Sequence, residues 1–356
     1  MTGKSSKRPP SASASLQFAW RGLICLLWCR SSENSTWTWD GTILAMRPSK
    51  QPGIENDSHR SEMGGWRTAQ RPSEPHLSDY VLGYFASEGS LPRPLYERHL
   101  PSREVAIILS FAGPHRFIQP ERSDTTDHKH AWIVPLQQRH HMREAEGSRD
   151  FLVIRLTPMG AHMLLRTPLD RLAGCTAALD TIDPRFSRLL MERAGNTKDW
   201  AERFNVVEGI LTARLASAPA PPEGLNHTWR MLRSSPNHID LERLPLEFGC
   251  SRRHLIAQFH KYFGMTPKLI ARIGRFQLAL AAVHRCRREV ASPYVEGRPY
   301  LDSASAENDC RVPSAQRPWT NLALASGYYD QSHFINEFRA FSGLSPLEFL
   351  RRTRDA

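Results

Sequence analysis

The sequence is poor in cysteine and lacks the paired spacing that builds disulfide or zinc frameworks. Its six cysteines are scattered over 356 residues, which favours reduced thiols in a cytoplasmic protein. Long apolar runs are also missing, since no stretch approaches the roughly 18 to 20 residues needed to span a bilayer. The segment from Leu16 to Trp28 resembles a signal peptide, but Arg21 interrupts it and no small-x-small cleavage site follows. We expect a soluble cytoplasmic protein with no membrane partner, and keep export as the alternative.

The sequence also lacks the common motifs of enzymes. It contains no P-loop, GxSxG elbow, HExxH helix or Gly-rich dinucleotide loop. The densest set of metal-ligating side chains is a His-rich patch, made of Asp127, His128, His130, His140 and His141. Its spacing fits no standard metal-binding pattern, so we interpret the patch as a surface loop. We therefore expect no catalytic residues, no metal site and no cofactor.

Positive charge is concentrated at the carboxyl end of the chain. The formal net charge is +11, from 47 Lys and Arg against 36 Asp and Glu. Residues 226–356 carry 19 basic and 12 acidic side chains, and residues 1–70 carry 9 and 5, whereas residues 71–225 are balanced at 19 each. A basic carboxyl-terminal segment favours an acidic partner, and nucleic acid is the commonest.

Composition divides the chain into four parts. Residues 1–70 are rich in Ser, Arg, Gly and Pro, which predicts a disordered extension. Residues 71–217 form a predicted sensor or dimerisation domain, and the Pro-rich stretch 218–225 is a stiff linker. Residues 226–356 are helical by pattern, apart from a segment at 285–318 that we interpret as an inserted loop.

The predicted fold class is α+β, with a mixed α/β sensor domain followed by an all-α domain. Strands are expected at Glu104–Phe111 and Phe151–Leu156, because both are β-branched runs that end at turn residues. Helical segments are expected at Ala161–Leu165, near Pro168–Ala173, at Pro184–Arg193 and at Trp200–Leu215.

The carboxyl-terminal part repeats a pattern of five residues at an offset of 79 positions. The repeated pairs are Ser251 and Asp330, Leu255 and Phe334, Phe259 and Phe338, Gly264 and Gly343, and Pro267 and Pro346. Each copy predicts a helix with a strong N-cap, a buried stripe at helical spacing, and a terminal glycine before a proline that starts the next helix. A glycine precedes each cap, Gly249 and Gly327, and permits the turn of a helix-turn-helix motif.

These residues resemble the carboxyl-terminal signature of AraC/XylS-type transcriptional regulators. The second copy, from Gly327 through Asp330 and Phe334 to Gly343 and Pro346, carries the resemblance most clearly. A softer resemblance links the middle segment to the sensor domain of one branch of that family. The resemblance implies two helix-turn-helix subdomains joined by a linker helix, Pro267–His284, with two recognition helices in successive major grooves.

The resemblance also implies roles for side chains on the polar face of each recognition helix. Base edges would be contacted by Arg253, Ile256 and Ala257 in the first helix, and by Gln331, Ser332, Ile335 and Asn336 in the second. Arginine suits guanine, whereas glutamine and asparagine suit adenine. Phosphates would be contacted by Arg252, Lys261, Arg275 and Arg339. For each of these side chains, a solvated surface position is the competing interpretation.

Two features depart from the family pattern. Pro245 stands where the second copy has Ala323; if Asp240 is the N-cap, this proline falls in the second helical turn and costs up to ~3 kcal/mol. The insertion at 285–318 stands where the family has a short connection. We expect it to loop out from an intact linker helix, because the two helix-turn-helix units must contact one face of DNA at points about 34 Å apart.

Three functional hypotheses follow. The first is a transcriptional activator or repressor that binds double-stranded promoter DNA, with a small-molecule effector, RNA polymerase and a second copy of the chain as possible partners. The second is an enzyme with a vestigial helical repeat, using His140, His141 or Cys175. The third, suggested by Pro245 and the insertion, is a degenerate regulator that acts by pairing with another protein.

Overall fold

A computed structural model describes residues 28–30, 37–39, 54–61, 64–112, 115–119, 122–128, 130–172, 174, 176–234, 243–247, 249–291, 294–295, 298–299 and 317–354. A large antiparallel sheet occupies the amino-terminal part of this range, and helices occupy the carboxyl-terminal part. This arrangement confirms the predicted fold class.

The sheet has nine strands, and its main path runs in the order β11-β9-β6-β10-β5-β4-β3. Strand β7 pairs with β10 and with β8, off this path. The strands are β3 (Glu55–Ser61), β4 (Gly64–Pro72), β5 (Val81–His99), β6 (Val105–Ser110), β7 (His115–Gln119), β8 (Arg122–His128), β9 (Ala131–Val134), β10 (His141–Leu156) and β11 (Ala177–Ala178). Short two-stranded pairs are formed by β1 (Trp28–Arg30) with β2 (Trp37–Trp39), and by β12 (Tyr294–Val295) with β13 (Arg298–Pro299).

The sequence of β10, a central strand, shows why this sheet forms. In β10, Leu152, Ile154 and Leu156 alternate with Phe151 and Val153, so that each set covers one face of the sheet. The first set packs against helices in the main core, and the second packs with Ile108 and Trp132 of neighbouring strands. Both strands predicted from the sequence are therefore confirmed: β6 is one residue shorter at each end than expected, and β10 extends the predicted Phe151–Leu156 back to His141.

The prediction that residues 1–70 are disordered is wrong for the part that the structure describes. Strands β3 and β4 lie within residues 55–72 and extend the sheet at one edge. Trp66, Thr68 and Ala69 of β4 are buried. The low apolar content that suggested disorder is compatible with a strand here, because pairing with β5 satisfies the backbone of β4.

The helices of the sensor domain cover one face of the sheet. They are α1 (Pro158–Leu165), α2 (Leu179–Ile182), α3 (Pro184–Gly195) and α4 (Trp200–Ala216), with a 3₁₀ turn at Leu169–Leu172. A buried ion pair joins Arg71 of β4 to Glu208 of α4, and the Glu208 carboxylate also accepts from the Tyr84 hydroxyl at 3.2 Å. The helical predictions for this domain are confirmed at these positions.

In the described ranges after residue 222, the carboxyl-terminal domain is helical apart from the β12–β13 pair. The helices are α5 (Glu223–Ser234), α6 (Leu244–Glu247), α7 (Arg252–Phe263), α8 (Pro267–Ala291), α9 (Arg317–Ala325), α10 (Gln331–Ser342) and α11 (Pro346–Arg354). Helix α8 is the expected linker helix, and it extends past His284 into the segment predicted as an insertion. Residues 300–316 of that segment lie outside the described residues. None of the helices within the described ranges has both the length and the apolar character needed to cross a bilayer.

Candidate DNA-binding surface

The two repeats fold into two helix-turn-helix units with matching turns. Gly249 and Gly327 adopt φ values of 56° and 82°, in the left-handed region that favours glycine. In each turn, the N–H of the glycine donates to the carbonyl of the third residue before it. The N–H of the residue after the glycine donates to the carbonyl of the fifth residue before that residue. These bonds are Gly249 to Leu246 (3.2 Å), Cys250 to Pro245 (3.0 Å), Gly327 to Leu324 (3.0 Å) and Tyr328 to Ala323 (2.9 Å).

The position of Pro245 corrects the expectation that it sits in a second helical turn. Helix α6 begins at Leu244, so Pro245 is its second residue. A proline in the first turn removes an N–H group that has no partner inside the helix, and the expected cost of ~3 kcal/mol does not apply there. Asp240, which had been expected to cap this helix, lies outside the described residues.

Both recognition helices, α7 and α10, begin and end in the same way. The Ser251 hydroxyl accepts from the His254 N–H at 3.2 Å, and the Asp330 carboxylate accepts from the His333 N–H at 2.7 Å. At the other end, Gly264 and Gly343 adopt φ values of 71° and 76° as left-handed C-caps. The capping roles predicted for these four residues are confirmed.

Each recognition helix buries one face and exposes the other. The predicted stripes are in the core: Leu255, Phe259 and Phe263 in the first helix, and Phe334, Phe338 and Phe341 in the second. Among the predicted DNA contacts, the exposed side chains are Arg252, Arg253, Ala257, Lys261, Ser332, Asn336 and Arg339. Ile256, Gln331 and Ile335 are half-buried, and Ile335 packs against the core. Each recognition helix thus presents a polar face to solvent and an apolar stripe to the core.

The structure separates Arg275 and Gln331 from the other predicted contacts. Gln331 Oε1 accepts from the Thr320 hydroxyl at 3.1 Å, which ties this side chain to α9. Arg275 lies on the linker helix with its Nη2 4.0 Å from the Glu337 carboxylate, and its side chain is only 22% exposed. Both side chains are therefore partly engaged inside the second unit.

Sequence reasoning missed Glu337, a buried carboxylate on the inner side of α10. Glu337 Oε1 accepts from Arg272 Nε of the linker helix at 2.6 Å. Burial and this carboxylate raise the pKa of the Tyr328 phenol well above its usual range. The signal was present in the sequence, because position 337 follows Phe334 by three residues and so lies on the buried side of the helix.

The His-rich patch is not the surface loop that we expected, because Asp127 and His128 lie in β8 and His141 lies in β10. His140 and His141 lie where the sensor domain meets the second unit, and the His140 N–H donates to the Phe341 carbonyl at 3.0 Å. The His141 ring stacks on His99 at 4.9 Å, whereas His130 is exposed. Across the described part of the chain, no group of three or more His, Cys, Asp or Glu side chains is placed to hold a metal ion. Cys175 lies outside the described residues.

The sensor domain contains a groove between α3 and α4. Its volume is about 610 Å³, within the range of small-molecule sites. Apolar side chains such as Phe186, Leu189 and Ile210 line it together with the cationic side chains of Arg166 and Arg193.

Comparisons with known proteins give structural likeness only. No protein-family model and no curated protein matches the chain. Among solved structures, the chain is similar to ToxT from Vibrio cholerae, with a TM-score of 0.37 and 10% identity over 84% of this chain and 98% of that one. A ToxT structure with a bound unsaturated fatty acid gives a TM-score of 0.34 and 11% identity, over 72% and 94% of the two chains. The AraC-like transcriptional activator CuxR gives 0.23 and 13%, over 68% and 88%.

Likenesses this weak do not assign a function. The resemblance to AraC/XylS-type regulators therefore depends on the chain's own repeated motif and on the pair of helix-turn-helix units that this motif forms.

Proposed function

We propose that this protein is a DNA-binding transcriptional regulator that inserts α7 and α10 into successive major grooves of promoter DNA. One observation carries the proposal: two helix-turn-helix units share their caps and turns, and each exposes a polar face beside a buried apolar stripe. Among the described residues, Arg252, Arg253, Lys261 and Arg339 pair with no carboxylate, so their charges are available to phosphates and bases.

The base contacts that we propose differ between the two helix-turn-helix units. In the first unit, Arg253 is exposed and suits guanine O6 and N7. In the second unit, Asn336 is exposed, whereas the Gln331 carbonyl oxygen accepts a hydrogen bond from Thr320. Reading adenine requires both the oxygen and the amide nitrogen of the side chain. We therefore assign adenine recognition to Asn336 before Gln331.

Regulation by a small molecule belongs to the same proposal. The groove between α3 and α4 is the site that we propose for the effector, since its volume and its mixed apolar and cationic lining suit a small ligand. RNA polymerase and a second copy of the chain are proposed as partners on the family resemblance alone.

Selection of duplex DNA from a random pool by the full-length protein tests the function directly. We expect enrichment of a site with two half-sites about one helical turn apart. If the four exposed cations each neutralise one phosphate, the logarithm of the affinity should fall against the logarithm of salt concentration with a slope near about −4. Failure of the folded protein to enrich any sequence would refute the proposal.

Two substitutions test the assigned contacts. Arg253→Ala and Asn336→Ala should each relax selectivity at one base pair by about 1–3 kcal/mol. Arg188→Ala, which removes an exposed arginine from α3 of the sensor domain, is the matched control and should leave base selectivity unchanged.

A further inference from the structure

Both recognition helices end against the sensor domain, and they do so at the same point of the repeat. A Cβ atom on the C-cap Gly264 would lie 2.9 Å from the carbonyl oxygen of Leu169 in the sensor domain. A Cβ atom on the equivalent Gly343 would lie 2.3 Å from Cε1 of His140. The two C-caps thus approach the sensor domain too closely to admit a side chain without movement.

A short segment of the sensor domain, Arg98–Arg103, reaches the second unit through its first residue. Arg98 is 8% exposed, and its Nη1 donates to the Ser342 carbonyl at 2.8 Å. The His140 N–H holds the neighbouring Phe341 carbonyl. The last carbonyls of a helix have no partner inside it, and a cation there also interacts favourably with the helix dipole. Arg98 therefore fixes the end of α10.

The last residue of the same segment reaches the first unit and the linker helix. Arg103 is 5% exposed; its Nη1 donates to the Leu232 carbonyl near the end of α5 at 2.6 Å, and its Nε donates to Gln277 Oε1 of α8 at 2.9 Å. Burial lowers the pKa of the Arg103 guanidinium to about 10, so it stays charged at neutral pH. Helix α5 belongs to the first unit, because Trp229 stacks on Phe263 of α7 at 5.5 Å.

Non-covalent contacts hold the two units relative to each other. Helix α8, the linker helix, packs against α10 of the second unit, where the Phe276 ring lies 5.3 Å from that of Phe338. The sensor domain holds α10 through Arg98, and it holds α5 and α8 through Arg103.

We infer that Arg98 and Arg103 are positioning residues that make the sensor domain select the distance between the two DNA half-sites. This inference rests on the proposed DNA-binding function. One added base pair moves a half-site by about 3.4 Å and rotates it by about 35° around the duplex axis. With both arginines in place, one spacing fits best; loss of one arginine weakens this selectivity, and loss of both leaves only the packing of α8 on α10 to oppose a change of spacing.

The test uses the full-length protein and a series of duplexes built from the two selected half-sites. One or two base pairs are inserted or removed between the half-sites, and a further probe carries a single half-site. For the wild type, we expect a one-base-pair change to weaken binding by about tenfold, because at least one charge-assisted hydrogen bond must break. The double variant Arg98→Ala/Arg103→Ala should lose less than about threefold, with unchanged affinity for the single half-site.

Arg203→Ala provides the matched control. Arg203 is also buried and binds a backbone carbonyl, that of Thr197, and a side chain, the Asp150 carboxylate, but both partners lie within the sensor domain. If this control relaxes spacing selectivity as much as the double variant does, the inference is wrong. Undiminished selectivity in a folded double variant also overturns it. Should the double variant fail to fold, the two single variants must show intermediate selectivity. A wild-type protein that selects no DNA refutes the proposed function itself, which is a different result.

Discussion

The buried carboxylate of Glu337 allows one prediction to be worked out in detail. Its side chain is 4% exposed and accepts from Arg272 Nε at 2.6 Å. Arg275 Nη2 lies 4.0 Å away and His333 Nε2 lies 3.9 Å away. The change Glu337→Gln keeps the shape of the side chain but removes the only charge that balances these two arginines among the described residues around it.

The expected loss follows from how far these partners are exposed. Removing one member of a fully buried ion pair costs about 3–5 kcal/mol. The Arg272 side chain is 38% exposed and that of Arg275 is 22% exposed, so water can solvate part of the stranded charge. We therefore expect Glu337→Gln to destabilise the second unit by about 2 kcal/mol. A double-mutant cycle with Arg272→Met should assign about 1–2 kcal/mol of this to the pair itself.

Hydrogen exchange of the α10 amides measures this loss where it occurs, without treating the two-domain chain as a single cooperative unit. A loss of about 2 kcal/mol corresponds to roughly 30-fold faster exchange for amides that open with the second unit. Glu192→Gln, at an exposed position of α3, is the control and should leave the exchange of α10 unchanged. Wild-type protection in Glu337→Gln, or a coupling energy near zero, would refute the reasoning.

Three further predictions test the caps, the domain contact and a half-buried histidine. Alanine in place of Ser251 or Asp330 should destabilise the corresponding recognition helix by about 0.5–2 kcal/mol, with the larger loss at Asp330 because its hydrogen bond is shorter. Equal protection from hydrogen exchange in wild type and variants would contradict this. Gly343→Ala should lower the midpoint of thermal unfolding more than Gly249→Ala does. Both variants place alanine at positive φ, but only the first adds a methyl group against the sensor domain. The reverse order of midpoints would be contrary evidence. Burial lowers the pKa of His162 below 6.5, so the unfolded chain binds a proton at a higher pH than the folded chain does. The stability present above pH 6.5 is therefore lost as the pH falls through the lowered pKa. His162→Gln should flatten the acid side of the curve of stability against pH, and an unchanged curve counts against this.

The local structure of the two units could be predicted from the sequence because short-range rules determine it. Caps, glycine turns and apolar stripes depend on residues within one or two helical turns of each other. Ser251, Asp330, Gly264 and Gly343 accordingly have the roles predicted for them. The half-buried state of Gln331 was beyond such rules, since it depends on Thr320 in another helix.

The sheet was harder to predict because its strands are held by distant partners. Strand β4 pairs with β3 and β5, and only the paired state explains why a segment as polar as Gly64–Pro72 is ordered. Strand β5 contains Gly83 and Gly89 at positive φ, which interrupt any regular alternation. Similarly, the start of α6 at Leu244, and with it the position of Pro245, was not evident because Arg243, which is not a typical capping residue, stands directly before it.

The repeat also conceals a difference between the two units that only the fold brings out. His254 and Gln258 of the first recognition helix correspond to His333 and Glu337 of the second, at the same offset of 79 positions. In the first helix, the Gln258 side chain lies near the His254 ring at 3.4 Å, on an open surface. In the second, the carboxylate is buried because the linker helix supplies Arg272 beside it. Arg272 and Arg275 of the linker helix therefore lie beside the buried carboxylate of the second unit, which is held to the linker by charge as well as by apolar packing.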